Sequence, residues 1–93
     1  MNFERMNEVI TAVGARRGAD AAKALDLHAK VMAGLAVLHL HFEEVGDKQR
    51  SNMVKAMTGN FCLLSGMAGV TPEDSNATAK ALTGDVREWK EAS

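Results

Sequence analysis

The sequence has few of the residue types that build β-strands, and it has almost no cysteine. Its 93 residues include no Tyr, one Ile and four aromatic residues, whereas strands favour β-branched and aromatic side chains. The single cysteine, Cys62, excludes a disulfide within the chain and favours a reducing compartment. The apolar residues are instead mainly Ala, Leu, Val and Met, and Ala, Leu and Met lose little on entering a helix. The composition therefore predicts an all-α fold.

Membrane and export signals are also missing from the sequence. No stretch reaches the roughly 20 predominantly apolar residues that span a bilayer. The charged start of the chain, residues 1–5, lacks the apolar core of a signal peptide. We therefore expect a cytoplasmic protein that has no membrane partner. The formal net charge of −1 shows no basic excess, which argues against nucleic acid as a partner because phosphate neutralisation dominates such binding.

Apolar residues at helical spacing divide the chain into four segments. They predict one helical domain over residues 1–93, built on a long antiparallel hairpin over about 20–45 and 50–69. Short N- and C-terminal helices flank this hairpin. The alternation from Leu38 to Glu43 is typical of a strand, but the longer apolar seam around it favours helix.

The ends of these segments carry recognisable signals. Thr71 as N-cap with Pro72 at the first helical position predicts the start of the last helix. Asp20 is the predicted N-cap of the second helix. Gly84 is a candidate break within the last helix.

Fixed charges are missing from two long stretches of the predicted hairpin. None lies between Lys30 and Glu43, and none lies between Lys55 and Glu73. A surface helix normally carries charge on its outer face about every turn. The two short helices can cover one flank of the hairpin but not both. The remaining apolar surface predicts a homodimer, since isologous pairs are the commonest closed assemblies; a compact monomeric bundle is the alternative.

The apolar seams of the hairpin supply the candidate self-association residues. One seam includes positions 31, 35, 38, 42 and 45, and the other includes positions 54, 57, 61, 64 and 68. Interior glycines at 59 and 66 predict a close approach to another helix, because each costs about 1 kcal/mol relative to Ala. We predict self-association through Val31, Leu35, Leu38, Phe42, Met57, Phe61 and Leu64.

Polar residues near the predicted turn, together with one basic pair, are the candidate partner-binding residues. His39 pairs with Glu43 at four residues and His41 with Glu44 at three. A partner surface that changes with pH near 6.5 is one hypothesis for them. The Arg16-Arg17 pair between two glycines could contact an acidic surface. We predict binding of a larger protein through Arg16, Arg17, His39, His41, Glu43 and Glu44.

Neither a metal site nor a catalytic site is predicted. His39 and His41 point about 160–200° apart on a helix, so they cannot share an ion. Cys62 has apolar neighbours along the chain, and we predict a buried structural thiol rather than a nucleophile. No phosphate-binding loop or nucleophile elbow is present. We therefore expect no cofactor, no metal, no catalytic residues and no enzyme activity.

These observations favour a non-catalytic, self-associating helical protein that acts through protein–protein interaction. Such a protein would serve as an adaptor or an inhibitor of a larger complex, as small proteins of phages and mobile elements do when they block host machinery. Two alternatives remain open. One is a small-ligand or metal-binding helical bundle. The other is a weak DNA-binding regulator, for which the Ala79–Trp89 segment bears a faint likeness to a recognition helix.

Overall fold

The computed structural model describes residues 2–83, which form four α-helices. Helix α1 spans Phe3–Arg17, α2 spans Ala19–Glu44, α3 spans Lys48–Met67 and α4 spans Pro72–Thr83. The predicted all-α fold is confirmed. Helix α2 continues without interruption through the alternating segment, so that pattern reflects helix and not strand. The proposed break at Gly84, and Trp89, lie outside the described residues.

Side-chain caps explain where three of the helices begin. Thr71 Oγ1 accepts a hydrogen bond from Asp74 N at 3.1 Å, which confirms the predicted start at Pro72. Asn2 caps α1 and Asp47 caps α3 in the same way. The predicted cap of α2 at Asp20 is wrong. Gly18 is the only residue between α1 and α2, and its φ of 103° is a conformation that glycine adopts without a steric penalty.

Helices α1 and α4 pack against the N-terminal half of α2. Their buried apolar side chains enclose Leu25, which is 1% exposed. Gly14 permits the close approach of α1 to α2, because a β-carbon added there would lie 3.0 Å from Ala22 Cβ. The core cluster consists of Met6, Ile10, Val13, Leu25, Ala29, Ala33, Val70 and Leu82.

Helix α3 runs antiparallel to α2, and the two form a hairpin that extends beyond the core. Three side-chain contacts, His28–Ser65, Met32–Cys62 and His39–Ser51, fix the alignment along its length. The Cα atoms span 42 × 31 × 16 Å. The shortest dimension corresponds to two layers of helices, since packed helix axes lie about 8–10 Å apart.

The side of α3 that contacts α2 differs from the predicted seam. Met57 and Leu64 are exposed, while the buried positions are Ser51, Val54 and Ser65. The buried side of α3 is therefore rotated about the helix axis by about 60° from the predicted apolar stripe. The physical reason is that Ser51 and Ser65 bind histidines of α2, so hydrogen bonds rather than apolar packing select the buried side.

The close approach predicted at two interior glycines of α3 is not made to another helix of the described chain. No described atom lies within 4 Å of a β-carbon added at Gly59 or Gly66, so neither position brings another helix close within the described chain. Gly34 of α2 has equally open surroundings.

Candidate functional site

Seven of the twelve large apolar side chains that are exposed in the described chain lie on one face of the α2–α3 hairpin. Its α2 row is Leu27, Val31, Gly34, Leu38 and Val45, and its α3 row is Met53, Met57, Asn60 and Leu64. We call these nine residues the hairpin face. Its seven large apolar side chains are each 41–62% exposed. Both rows follow steps of mainly three and four residues, so each occupies one stripe of its helix.

The two rows lie on the same side of the hairpin, opposite α1 and α4. The α2 row is about half a turn from Ala29 and Ala33, which face the core. On α3, the row lies about a quarter turn from the buried seam, on the side away from Cys62. Cys62 lines a cleft against the first turn of α4. The described helices therefore cover one side of the hairpin and leave the other open.

All seven predicted self-association residues contribute to this side. Val31, Leu38, Met57 and Leu64 are exposed and belong to the hairpin face. Leu35, Phe42 and Phe61 are half-buried between the two rows. No fixed charge interrupts the rows between Val31 and Leu38 or between Met57 and Leu64. The central part of this surface is thus mainly apolar and carries no fixed charge.

Three polar side chains join the helices near the turn of the hairpin. The Ser51 hydroxyl donates to Glu43 Oε1, and its oxygen lies 3.1 Å from His39 Nδ1. His39 Nε2 is 3.9 Å from Glu43 Oε1. The hydrogen bond from Ser51 is the main cause that lowers the pKa of Glu43 below its usual value. His39 and Glu43 thus have internal partners, while His41 and Glu44 are exposed.

The predicted basic pair is bound to a buried carboxylate. Arg16 Nη2 donates to Asp74 Oδ1 at 3.2 Å, and Arg17 Nη1 donates to Asp74 Oδ2. Arg17 Nη2 also donates to Gly69 O at 3.3 Å. These bonds tie the α1–α2 junction to the start of α4. A larger partner at this surface remains a prediction, and it would find the Arg16 side chain 68% exposed.

His28 connects three helices and escaped the sequence prediction as a site residue. Its Nδ1 lies 2.7 Å from Ser65 Oγ of α3, and its Nε2 lies 2.8 Å from Ser75 Oγ of α4. The ring stacks on Phe61, with centroids 5.6 Å apart. A weak signal was available, because His28 falls on the Ala-rich side of α2. Its serine partners lie 37 and 47 residues away along the chain, beyond the reach of local patterns.

An open cleft of about 380 Å³ lies between α3 and the start of α4. Its lining includes His28, Cys62, Val70, Pro72 and Ser75. Cys62 is exposed, so the prediction of a buried thiol is wrong. Ser65 belongs to the buried side of α3 that contacts α2. Cys62 therefore lies at the edge of the α2–α3 contact, where its Sγ is 3.9 Å from Met32 Sδ.

We expect His28 to make the protein less stable in mildly acidic solution. Burial lowers the pKa of His28 below 6.5, because the charged imidazolium loses hydration. Below about pH 6.5 the unfolded chain therefore binds a proton that the folded chain does not. Stability contributed by neutral His28 is complete above that pH and declines as the pH falls towards the folded-state pKa.

Urea unfolding of the wild type and His28→Gln between pH 8 and pH 5 measures this effect. The difference in unfolding free energy between the two proteins should be constant above about pH 6.5 and shrink below it. A difference that stays constant across the whole range would show that His28 titrates alike in both states. Glu43 does not interfere, since its lowered pKa places its contribution at more acidic pH.

Metal-binding and membrane-spanning features are absent from the described part of the chain. Residues 2–83 bring no three His, Cys, Asp or Glu side chains together in a group able to hold a metal ion. None of the helices in that range combines the length and hydrophobicity needed to cross a bilayer.

No protein-family model, curated protein or solved structure matches this chain. Function must therefore be argued from the chemistry and geometry of the described residues, because a helical bundle hosts many unrelated activities.

Proposed function

We propose that this is a non-catalytic protein that self-associates through the hairpin face and acts by binding a larger protein. The single observation that carries the proposal is the hairpin face itself. Helices α1 and α4 both lie on the other side of the hairpin, where they enclose the core. A large apolar surface left open in this way marks an interaction site.

The size of the face matches a protein interface. Seven large apolar side chains, each about half exposed, present on the order of 700 Å² of apolar surface, whereas a stable interface buries about 800 Å² per partner. The largest apolar patch of an ordinary monomer covers about 300–600 Å². A second copy provides an equally large apolar surface of the same length, so a homodimer covers the hairpin faces of both protomers at once.

Other surfaces stay accessible when the hairpin face is covered. His41 is exposed near the turn, and Arg16 is exposed at the α1–α2 junction. These are the residues through which we propose contact with a larger protein, in the manner of an adaptor or an inhibitor. A dimer would present each of these surfaces twice, which strengthens binding to any partner that has two matching sites.

A charge at the centre of the face provides the test of self-association. We expect Leu38→Glu to weaken dimerisation at least about 100-fold, or about 2.7 kcal/mol, because association would bury an unpaired carboxylate. The matched control is Leu63→Glu. Leu63 is 71% exposed and lies about half a turn from the buried seam of α3, so its substitution adds the same charge outside the face.

Analytical ultracentrifugation over a concentration series measures the mass of all three proteins. The proposal expects twice the 10.0 kDa chain mass for the wild type and Leu63→Glu, with Leu38→Glu shifted towards the monomer. A wild type that remains monomeric over a roughly 100-fold range of protein concentration would contradict self-association. Equal weakening by both variants would show that the hairpin face is not the interface.

The cleft between α3 and α4 supports a second candidate function, the binding of a small ligand. Its volume of about 380 Å³ falls within the range of about 300–1,000 Å³ that is typical of ligand pockets. Ser75 offers a hydroxyl at its wall, whereas both ring nitrogens of His28 already contact serine hydroxyls. Native mass spectrometry of gently purified protein distinguishes the candidates, because a bound ligand adds mass to each protomer and dimerisation alone does not.

A further inference from the structure

The central residues of both rows of the hairpin face are spaced nearly evenly about one level along the hairpin axis. On α2, Val31 and Leu38 lie three and four residues on either side of Gly34. On α3, Met57 and Asn60 flank a midpoint, and Met53 and Leu64 lie beyond them in opposite directions. The contacts His28–Ser65, Met32–Cys62 and His39–Ser51 place Gly34 level with this midpoint. The central part of the face therefore repeats when it is turned end over end, because Val31 exchanges with Leu38 and Met53 exchanges with Leu64; Leu27 and Val45 lie outside this repeat.

From this symmetry we infer that a second copy binds antiparallel, with the two-fold axis passing beside Gly34. The inference rests on the proposed self-association and adds its geometry. Helix α2 packs on α2 of the second copy and α3 packs on its α3, which gives a four-helix bundle. Val31 then meets Leu38 of the other copy, and Met53 meets its Leu64. Val31, Leu38, Met53 and Leu64 thus obtain apolar partners, Met57 lies opposite Asn60 of the other copy, and no fixed charge is buried.

Gly34 supports the axis because nothing within residues 2–83 requires a glycine there. Glycine inside a helix is less stable than alanine by about 1 kcal/mol. No described atom lies within 4 Å of a β-carbon added at Gly34, so the protomer has room for a side chain. At the proposed axis the missing side chain allows the two α2 helices to approach closely.

Charges at the rim of α2 are complementary in this arrangement. Lys23 and Glu44 lie eleven and ten residues on opposite sides of Gly34, along the same edge of α2. Both are exposed, and neither forms an ion pair among the salt bridges of residues 2–83. The antiparallel dimer places Lys23 of each copy beside Glu44 of the other. A parallel dimer, with α2 over α3 of the second copy, separates them.

Cysteine cross-linking tests the position of the axis. In a Cys62→Ser background, Gly34→Cys should form a disulfide-linked dimer under mild oxidation, because the α2 backbones meet there within the roughly 4.4–6.8 Å that a disulfide spans. Gly59→Cys in the same background is the control. Gly59 lies on the other side of α3 and has equally open surroundings, so it should remain uncross-linked.

Two further arms separate the possible outcomes. A mixture of Gly34→Cys and Met57→Cys proteins should give little mixed disulfide-linked dimer, whereas a parallel dimer would give mostly that product.

Lys23→Glu and Glu44→Lys should each weaken dimerisation about 10-fold, and combining both substitutions in one chain should restore it. A dimer without a Gly34→Cys homodisulfide and without charge-swap rescue overturns the antiparallel geometry but leaves self-association intact. A monomeric wild type overturns both.

Discussion

Replacing Arg16 and Arg17 together by alanine is expected to lower the free energy of unfolding by about 3 kcal/mol. Asp74 is only 6% exposed, and both of its carboxylate oxygens accept hydrogen bonds from these arginines. Without them, the folded protein would hold a buried carboxylate that has lost its cationic partners. The loss is large relative to the total stability of about 5–15 kcal/mol that is typical of a small domain.

Urea denaturation at neutral pH measures this loss, with Arg5→Ala as the control for removing an exposed arginine on α1. Adding Asp74→Asn to the double variant should recover part of the stability, because it removes the buried charge. A decrease of less than about 1 kcal/mol in the double variant would show that water compensates the carboxylate as well as the arginines do.

Substitution of Leu25 by alanine is expected to cost about 3–4 kcal/mol of unfolding free energy. Leu25 is 1% exposed and lies where α1 and α4 pack on α2, so its removal leaves a cavity in addition to the lost apolar contacts. The core is small and consists mainly of alanine and medium-sized aliphatic residues. No large aromatic ring in the cluster can move to fill the space.

Leu63→Ala provides the matched control, because the same atoms are removed from a leucine that is 71% exposed. Thermal or urea unfolding of both variants at equal protein concentration gives the comparison. We expect a change of less than about 1 kcal/mol for Leu63→Ala. Similar losses in the two variants would contradict the placement of the core at the N-terminal half of α2.

The elements of this fold could be predicted because their signals are local. Thr71 and Pro72 mark the start of α4 by cap chemistry, which involves neighbouring residues only. The longer apolar period around the alternating segment of α2 predicts helix there, and this prediction is confirmed. The long charge-free stretches also predict an uncovered hairpin surface from the sequence alone.

The seam of α3 could not be predicted, because apolar spacing does not reveal which apolar stripe faces the protein. Met57 and Leu64 form the more hydrophobic stripe, yet Ser51 and Ser65 form the buried one. The choice depends on hydrogen bonds to His28 and His39, which lie 37 and 12 residues away in sequence. The same rotation explains why Cys62 is exposed.

The two seam serines also have a consequence for folding. Ser51 and Ser65 are fourteen residues apart, which is two heptads, and each binds a histidine of α2. An aliphatic seam would tolerate sliding of one helix along the other by a heptad, since every sliding position offers similar contacts. Here such slippage would separate both serines from their imidazoles and leave the buried His28 without the Ser65 hydroxyl, at a cost of about 1–3 kcal/mol for an unsatisfied buried group. These serine–histidine hydrogen bonds thus destabilise a misaligned hairpin relative to the native one, whereas apolar contacts alone would stabilise both similarly.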